Sequence, residues 1–182
     1  MYLLICFYCC CSAQRCLEDG LKYASERRQF DQRIIDFQHT QFKIADLATK
    51  VHTSRLTLRN AAQLLDEEDS DRTMYCAMAK QYVTDTCFNV CNDALQLFGG
   101  YGYFKEYEVE RFVRDCRVHQ ILEGTNEIMR VVVWRKILEG LEKNVKCKGS
   151  FFFVLDFIAS STLCCIAFFC AKFVLKFISS IE

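Results

Sequence analysis

Proline is absent from this 182-residue sequence, where ordinary usage would give about nine, and glycine occurs only seven times. Both residues interrupt helices, because proline lacks the amide hydrogen and glycine loses the most backbone freedom. Long helices can therefore run through the middle of the chain with few breaks. The two shortages favour an all-α architecture.

A net charge is also absent, because 23 lysines and arginines balance 23 aspartates and glutamates. A chain without a basic excess lacks the field that attracts phosphate backbones, so we expect no nucleic-acid partner. A hydrophobic content of 52% excludes a disordered chain, and the length suits one domain with a sizeable core.

The 13 cysteines are unevenly distributed. Only five lie between residues 12 and 146, and the other eight crowd the two ends of the chain. The average therefore hides three compositions, and we expect an apolar N-terminal extension (1–11), a charged helical domain (12–144) and a hydrophobic tail (145–182).

The two end segments carry few charges. Residues 1–14 carry none and are too short to span a bilayer. Their cluster Cys6-x-x-Cys9-Cys10-Cys11 begins like a metal motif but has no second half and no histidine nearby, so we expect reduced thiols and no metal site. In the tail, residues 151–178 are a candidate membrane anchor, an interfacial helix or an extension without an evolved role.

Apolar residues recur every three or four positions across the charged middle of the chain, as in amphipathic helices. The pattern predicts helices near 12–29, from about 38 to 65, from Asp71 to Gly99 and from about 124 to 141. Short connections join them, so we expect an antiparallel four-helix bundle.

Three short motifs could carry chemistry, and each has a simpler structural explanation. Gly99-Gly100-Tyr101-Gly102 ends a helix, but three glycines in four residues would also let a flat or phosphorylated group approach the backbone. Arg27 and Arg28 could complement a helix C-terminus or clamp a phosphate. Gln38 could bind a heterocycle or be an ordinary surface residue.

Glu123 follows the apolar pair Ile121-Leu122 and precedes Gly124. Its carboxylate could complement the N-terminus of the next helix. It could also be a general base, partly shielded from water, whose pKa is set by desolvation against the helix dipole, with Gly124 leaving space for a substrate. His119 lies close to Arg114 and Arg117 and is expected to be structural or solvated.

The order and spacing of these motifs resemble the C-terminal helical domain of the acyl-CoA dehydrogenases over about residues 12–141, roughly a third of a typical member. The resemblance rests on Glu26-Arg27-Arg28-Gln29-Phe30, Phe37-Gln38-x-x-Gln41-Phe42, Gln96-Leu97-Phe98-Gly99-Gly100-Tyr101-Gly102, Arg114-Asp115 and Leu122-Glu123-Gly124-Thr125-Asn126-Glu127. From Gly99 to Arg130 the chain is most similar to members that act on a short branched acyl-CoA.

The resemblance implies FAD-dependent α,β-dehydrogenation of an acyl-CoA. A glutamate at the position of Glu123 would remove the α-proton while the β-hydrogen leaves as hydride to the flavin, and Gly124 and Arg135 would contact the substrate. Thr125, Asn126 and Glu127 would also contact FAD. A second set of positions would contact FAD that is bound mainly to a neighbouring subunit: Arg27, Phe37, Gln38, Gln96, Leu97, Phe98, Gly99 and Gly100. The resemblance further implies a homo-oligomer (a dimer of dimers), electron-transferring flavoprotein as partner and a mitochondrial matrix location.

The sequence departs from the family pattern in two ways. Asp31 replaces a usual glycine and Arg33-Ile34 replaces a usual proline, so we expect an altered turn beside Arg27. The family's N-terminal helical domain and middle β-domain have no counterpart in these residues. We therefore expect weak or no FAD retention and little turnover unless another chain supplies them. A non-catalytic helical interaction module, which the tail could anchor to a membrane, is the alternative.

Overall fold

The computed structural model describes residues 2–147, with side chains as far as residue 142. The described residues form five α-helices: α1 (Tyr2–Glu26), α2 (Gln38–Asp66), α3 (Arg72–Phe98), α4 (Val109–His119) and α5 (Asn126–Cys147). A small antiparallel hairpin, β1 (Arg28–Gln29) and β2 (Gln32–Arg33), follows α1. Single 3-10 turns cover Ile34–Asp36 and Gly99–Tyr103. The all-α prediction is confirmed.

Helix α3 lies at the centre and packs against α1, α2 and α4. Small side chains let these helices approach closely. A Cβ placed on Gly20 of α1 would lie only 3.1 Å from Cδ1 of Leu97 on α3. The shared core is built mainly from alanine, cysteine and branched aliphatic residues, among them Ala13, Cys16, Leu47, Val51, Val83, Cys87, Val90, Cys91, Ala94 and Cys116.

The start of α1 corrects the sequence analysis. The helix expected near 12–29 begins ten residues earlier, at Tyr2, and ends at Glu26. Ile5, Cys6, Cys9 and Cys10 are buried in the core because their spacing of one, three or four residues places them on one helical face. The uncharged start hid this face, because it offered no polar residues for contrast. Helix α1 runs through the boundary between the expected N-terminal extension (1–11) and the helical domain (12–144). That boundary stays a prediction.

Two further details differ from the expected helices. The 11-residue α4 was not among them, because it is mostly polar and only Val109 and Cys116 are buried on it. On α2, Leu47 and Val51 are buried as expected, whereas Leu65 from the same predicted stripe is 44% exposed. The nine cysteines among the described residues are free, with no disulfide between them.

The chain divides after Leu138 into two compact units. The core and the candidate site belong to the first unit. Of the second, the described residues are 139–147, which continue α5. None of the described helices combines the length and the apolar composition needed to cross a membrane. The predicted anchor over residues 151–178 lies outside the described residues.

Candidate active site and cofactor surface

Glu123 lies in the short loop between α4 and α5, in an uncommon backbone conformation. Its φ is +57°, and that of Gly124 is +90°. A left-handed φ is costly for a residue with a Cβ and persists only where the surroundings impose it. The backbone N–H of Asn126 closes the loop with a 3.1 Å hydrogen bond to the carbonyl oxygen of Gln120. The half-buried Glu123 is thus presented by a constrained loop.

Lys80 of α3 binds this loop from the core side. Its side chain is fully buried, and Nζ donates hydrogen bonds to the carbonyl oxygens of Gly124 (2.7 Å) and Gln120 (3.3 Å) and to Oδ1 of Asn126 (2.7 Å). Three acceptors match the three hydrogens of an ammonium group. Burial lowers the pKa of Lys80, since desolvation disfavours the charged form.

Sequence reasoning missed Lys80, although one signal was present. The residue interrupts an apolar run on α3, between the buried Ala79 and Val83. A lysine in such a place needs polar partners, because a buried, unpaired ammonium is very costly. Those partners come from the loop after α4, about 40 residues further along the chain. The spacing of residues in the sequence could not identify them.

Asp85, one turn after Lys80, gathers a second set of contacts. Its carboxylate accepts hydrogen bonds from Nε2 of Gln120 (2.8 Å), Nδ2 of Asn126 (2.6 Å) and the guanidinium of Arg130 (3.2 Å). The side chain of Asn126, 3% exposed, is therefore directed at α3. Its predicted contact with FAD stays a prediction that would involve other atoms of this residue.

Thr125 and Glu127 flank Asn126 at the start of α5. Oγ1 of Thr125 accepts a 3.4 Å hydrogen bond from the backbone N–H of Ile128, as a capping residue does. Hydrogen bonds from its own backbone N–H and from the Thr125 side chain lower the pKa of the exposed Glu127 carboxyl. Arg135 lies further along α5 with its side chain exposed.

The hairpin after α1 positions Arg27. Its turn residues, Phe30 and Asp31, have φ values of +55° and +64°, as in the two-residue turns that suit hairpins. The backbone N–H of Ile34 donates a 2.9 Å hydrogen bond to the Arg27 carbonyl oxygen. The Arg27 guanidinium lies 5.4 Å from the centroid of the Tyr101 ring. The structure thus brings two predicted cofactor motifs together.

The three clustered glycines have different roles. Gly99 ends α3 with a φ of +59°. A Cβ on Gly102 would lie 2.7 Å from the Leu95 carbonyl oxygen, so the group that approaches this glycine closely is the chain's own backbone. Around Gly99 and Gly100 no described atom lies within 4 Å of an added Cβ, and both residues are exposed. Those two leave an open backbone surface.

The other predicted cofactor residues differ in their exposure to solvent. Gln96 and Gln38 are exposed, and Gln38 is the first residue of α2. Leu97 and Phe98 are 8% and 5% exposed, so their side chains contribute mainly to the core. The half-buried Phe37 lies with its ring centroid 6.5 Å from that of Phe30. Open glycine backbone, an arginine and amide side chains fit the phosphates and polar edges of FAD.

Two clefts lie at these parts of the surface. One, of about 510 Å³, is lined by Arg27, Tyr23, Phe98 and Tyr107 together with side chains of α1 and α4. The other, of about 270 Å³, lies beside the Glu123 loop and is lined by Asp85, Arg117, Gln120, Ile121, Asn126, Glu127 and Arg130. The two clefts have different linings. The first is lined by two predicted FAD contacts, Arg27 and Phe98, and the second by two others, Asn126 and Glu127, which follow the Glu123 loop.

Comparisons with known proteins identify the family to which the chain is similar. The family model "Acyl-CoA dehydrogenase, C-terminal domain" matches residues 3–138, which includes the start of α1 that the sequence analysis left outside the resemblance. A mitochondrial isobutyryl-CoA dehydrogenase from Dictyostelium discoideum is 51% identical over 125 residues, 69% of this chain and 30% of that protein.

Two further relatives extend the comparison. Subunit CarC of the caffeyl-CoA reductase-Etf complex from Acetobacterium woodii is 46% identical over 127 residues, 70% of this chain and 33% of that protein. The structure of butyryl-CoA dehydrogenase from Megasphaera elsdenii is similar with a TM-score of 0.72 and 33% identity, over 75% of this chain and 36% of that one. The chain thus spans about a third of the length of these relatives.

Proposed function

Because the chain belongs to the acyl-CoA dehydrogenase family, we propose that it supplies the base and part of the FAD surface for α,β-dehydrogenation of a short branched acyl-CoA such as isobutyryl-CoA. The name of the Dictyostelium relative supports the choice of substrate. The observation that carries the proposal is the half-buried Glu123, held at a φ of +57° in a loop that Lys80 fixes through three hydrogen bonds.

Glu123 is the base in this proposal. Its carboxylate accepts the proton from the substrate carbon next to the thioester, and the constrained loop holds the carboxylate in place. Gly124 follows with an exposed backbone, so no side chain blocks the thioester at that position. FAD, when bound, supplies the acceptor for the hydride that leaves the β-carbon. Arg135 is the further substrate contact of the proposal.

The proposed cofactor surface includes Arg27, Gly99 and Gly100. The cleft at Arg27 shares no lining residue with the cleft beside the Glu123 loop, which suits two clefts that contact the FAD of different subunits. Thr125 and Glu127, at the start of α5, would contact the FAD on the same side as the base.

The proposal requires a homo-oligomer, because part of the FAD surface of each subunit would come from its neighbour. Helix α5 exposes several large apolar side chains within the first compact unit: Ile128, Val131, Trp134, Ile137 and Leu138. An exposed apolar face of this kind suits a second copy of the chain. The same observation supports the alternative function, a helical interaction module without catalysis. Size-exclusion chromatography with light scattering gives the mass in solution, and a monomer would argue against both.

We further propose a mitochondrial location, since the Dictyostelium relative is named as mitochondrial. Electron-transferring flavoprotein is the proposed electron acceptor, and the CarC relative is named as a subunit of a complex with Etf. The 182 residues by themselves are expected to retain FAD weakly and to turn over slowly.

A flavin titration of the purified chain distinguishes the two functions. We expect added FAD to bind, seen as a shift of its visible absorption, and isobutyryl-CoA to bleach that band without oxygen. Arg27→Ala should weaken FAD binding, whereas the matched change Arg59→Ala, on the exposed surface of α2, should not. A chain that binds no FAD even at high concentration would exclude an autonomous enzyme and favour the interaction module.

A further inference from the structure

We propose that the chain binds one zinc ion between α1 and α4, through Sγ of Cys9, Sγ of Cys116 and Nδ1 of His119. These three ligand atoms all lie within 4.8 Å of one another. Cys9 Sγ and His119 Nδ1 are 3.2 Å apart, although 110 residues separate them in the sequence. The site does not depend on the proposed function, because no part of it needs flavin or acyl-CoA.

The distances suit a tetrahedral ion. Zinc binds sulfur at about 2.3 Å and imidazole nitrogen at about 2.0–2.1 Å, which places neighbouring sulfur and nitrogen ligands about 3.6 Å apart. The observed 3.2 Å between Cys9 and His119 needs a shift of a few tenths of an ångström. Two sulfurs and one imidazole are also the donor types that zinc prefers.

The helices hold these donors rigidly. Cys116 and His119 are three residues apart on α4, so they lie on the same face of the helix. Cys9 faces them from α1 and, like Cys116, is fully buried. His119 is half-buried, so it is the one donor of the three that reaches solvent, and a water molecule completes the four ligands of the proposed ion.

A third cysteine, Cys91, contacts the ligand Cys116. Sγ of Cys91, on α3, lies 3.6 Å from Sγ of Cys116. This contact holds the sulfur of Cys116 in place from α3. We do not assign Cys91 as a ligand, because its sulfur lies further from the other two donors.

The fold brings a histidine to the cysteine cluster at the start of the chain. The sequence alone predicts no metal site at the cluster Cys6-x-x-Cys9-Cys10-Cys11, because no histidine lies near it in the sequence. In the fold, His119 reaches Cys9 across the interface between α1 and α4. The second half of the motif is the sequence Cys116-x-x-His119.

Cobalt absorption tests the proposal on the full 182-residue chain, purified with a phosphine reductant and without chelator. We expect one equivalent of Co²⁺ to give thiolate charge-transfer bands and tetrahedral d–d bands, and Zn²⁺ to abolish them. His119→Gln should weaken binding by at least about tenfold, since even lost outer contacts cost that much. Its partly exposed position keeps the fold intact, which circular dichroism checks.

Two more variants locate the ion. Cys116→Ser should remove the charge-transfer bands or shift them strongly, whereas Cys11→Ser, an exposed cysteine two residues after Cys9, should leave them unchanged. The proposal is overturned if the reduced chain gives no such bands, or if the bands survive unchanged in both His119→Gln and Cys116→Ser, as cysteines elsewhere would produce. A disulfide between Cys91 and Cys116 in the chain as purified, found by mass spectrometry and resistant to the reductant, would overturn it too.

Discussion

The Lys80 ammonium donates a 2.7 Å hydrogen bond to the carbonyl oxygen of Gly124, the residue that follows Glu123. This bond links the centre of the core helix α3 to the loop of the proposed base. Two more bonds, to Gln120 and Asn126, make the link rigid. The position of Glu123 therefore depends on a cation that is fully buried in the core.

Lys80→Met should loosen the loop and destabilise the chain. We expect a loss of about 1.5–3 kcal/mol in the free energy of unfolding, the range for hydrogen bonds to charged groups, measured by urea denaturation. The amide hydrogen of Asn126, bonded to Gln120, should also exchange faster with solvent. Lys50→Met is the matched control, since Lys50 is partly exposed and pairs with Asp93 at 3.5 Å, and should cost at most about 1 kcal/mol. Equal effects of both changes would contradict the role of Lys80.

Gly124→Ala should destabilise the same loop. A φ of +90° is unfavourable for any residue with a Cβ, and the added carbon would lie 2.8 Å from Cε of Met129. We expect a cost of about 1–2 kcal/mol in thermal or urea unfolding. Gly140→Ala, within helix α5 and with no described atom within 4 Å of its Cβ, should instead stabilise by about 0.5–1 kcal/mol. Two changes of the same sign would refute this explanation.

Asp31→Gly should stabilise the hairpin beside Arg27. Asp31 has a φ of +64°, which glycine adopts without strain, and it stands where the resemblance has glycine. We expect a gain of about 0.5–1 kcal/mol. Gln32→Gly, at the next position in β2, should lower stability by a similar amount, because that position has no left-handed φ. A destabilising Asp31→Gly would show that the Asp31 side chain supports the turn.

Cys6 should make stability fall in alkaline solution. Burial raises the pKa of Cys6 from 9.0 to about 12, so between these values the folded chain keeps a proton that the unfolded chain loses. Its stabilising contribution is complete below pH 9 and is lost as the pH rises to about 12, with a slope of at most about 1.4 kcal/mol per pH unit. Cys6→Ala should make the decline shallower, and the exposed Cys11→Ala should not. Identical pH curves for Cys6→Ala and the unmodified chain would contradict the prediction.

The sequence predicted those parts of the fold that depend on local periodicity. Helices α2 and α3 alternate charged and apolar faces, and their ends lie within a residue or two of the prediction. The start of α1 could not be recognised, because an uncharged helix shows no periodic contrast. Helix α4 was missed for the opposite reason, since so few of its residues are apolar and buried.

The candidate site divides in the same way. Glu123 and the glycines could be found from sequence, because a motif and a backbone requirement mark them. Lys80, Asp85 and the contact of Cys9 with His119 depend on helices that meet only in the fold. Gly102 shows a further limit, since a glycine can serve a ligand or a neighbouring backbone, and only the 2.7 Å approach to Leu95 distinguishes them.

The role of Glu123 is tested most directly in a chimera. Residues 3–138 would replace the matching segment of the Dictyostelium relative, which supplies the rest of an enzyme of that family. The measurement is the rate at which isobutyryl-CoA bleaches the bound flavin without oxygen. We predict bleaching by the chimera, and a rate about 10²–10⁴-fold lower in its Glu123→Gln form with the flavin still bound. Bleaching at an unchanged rate in the Glu123→Gln chimera would contradict the assignment of Glu123 as the base.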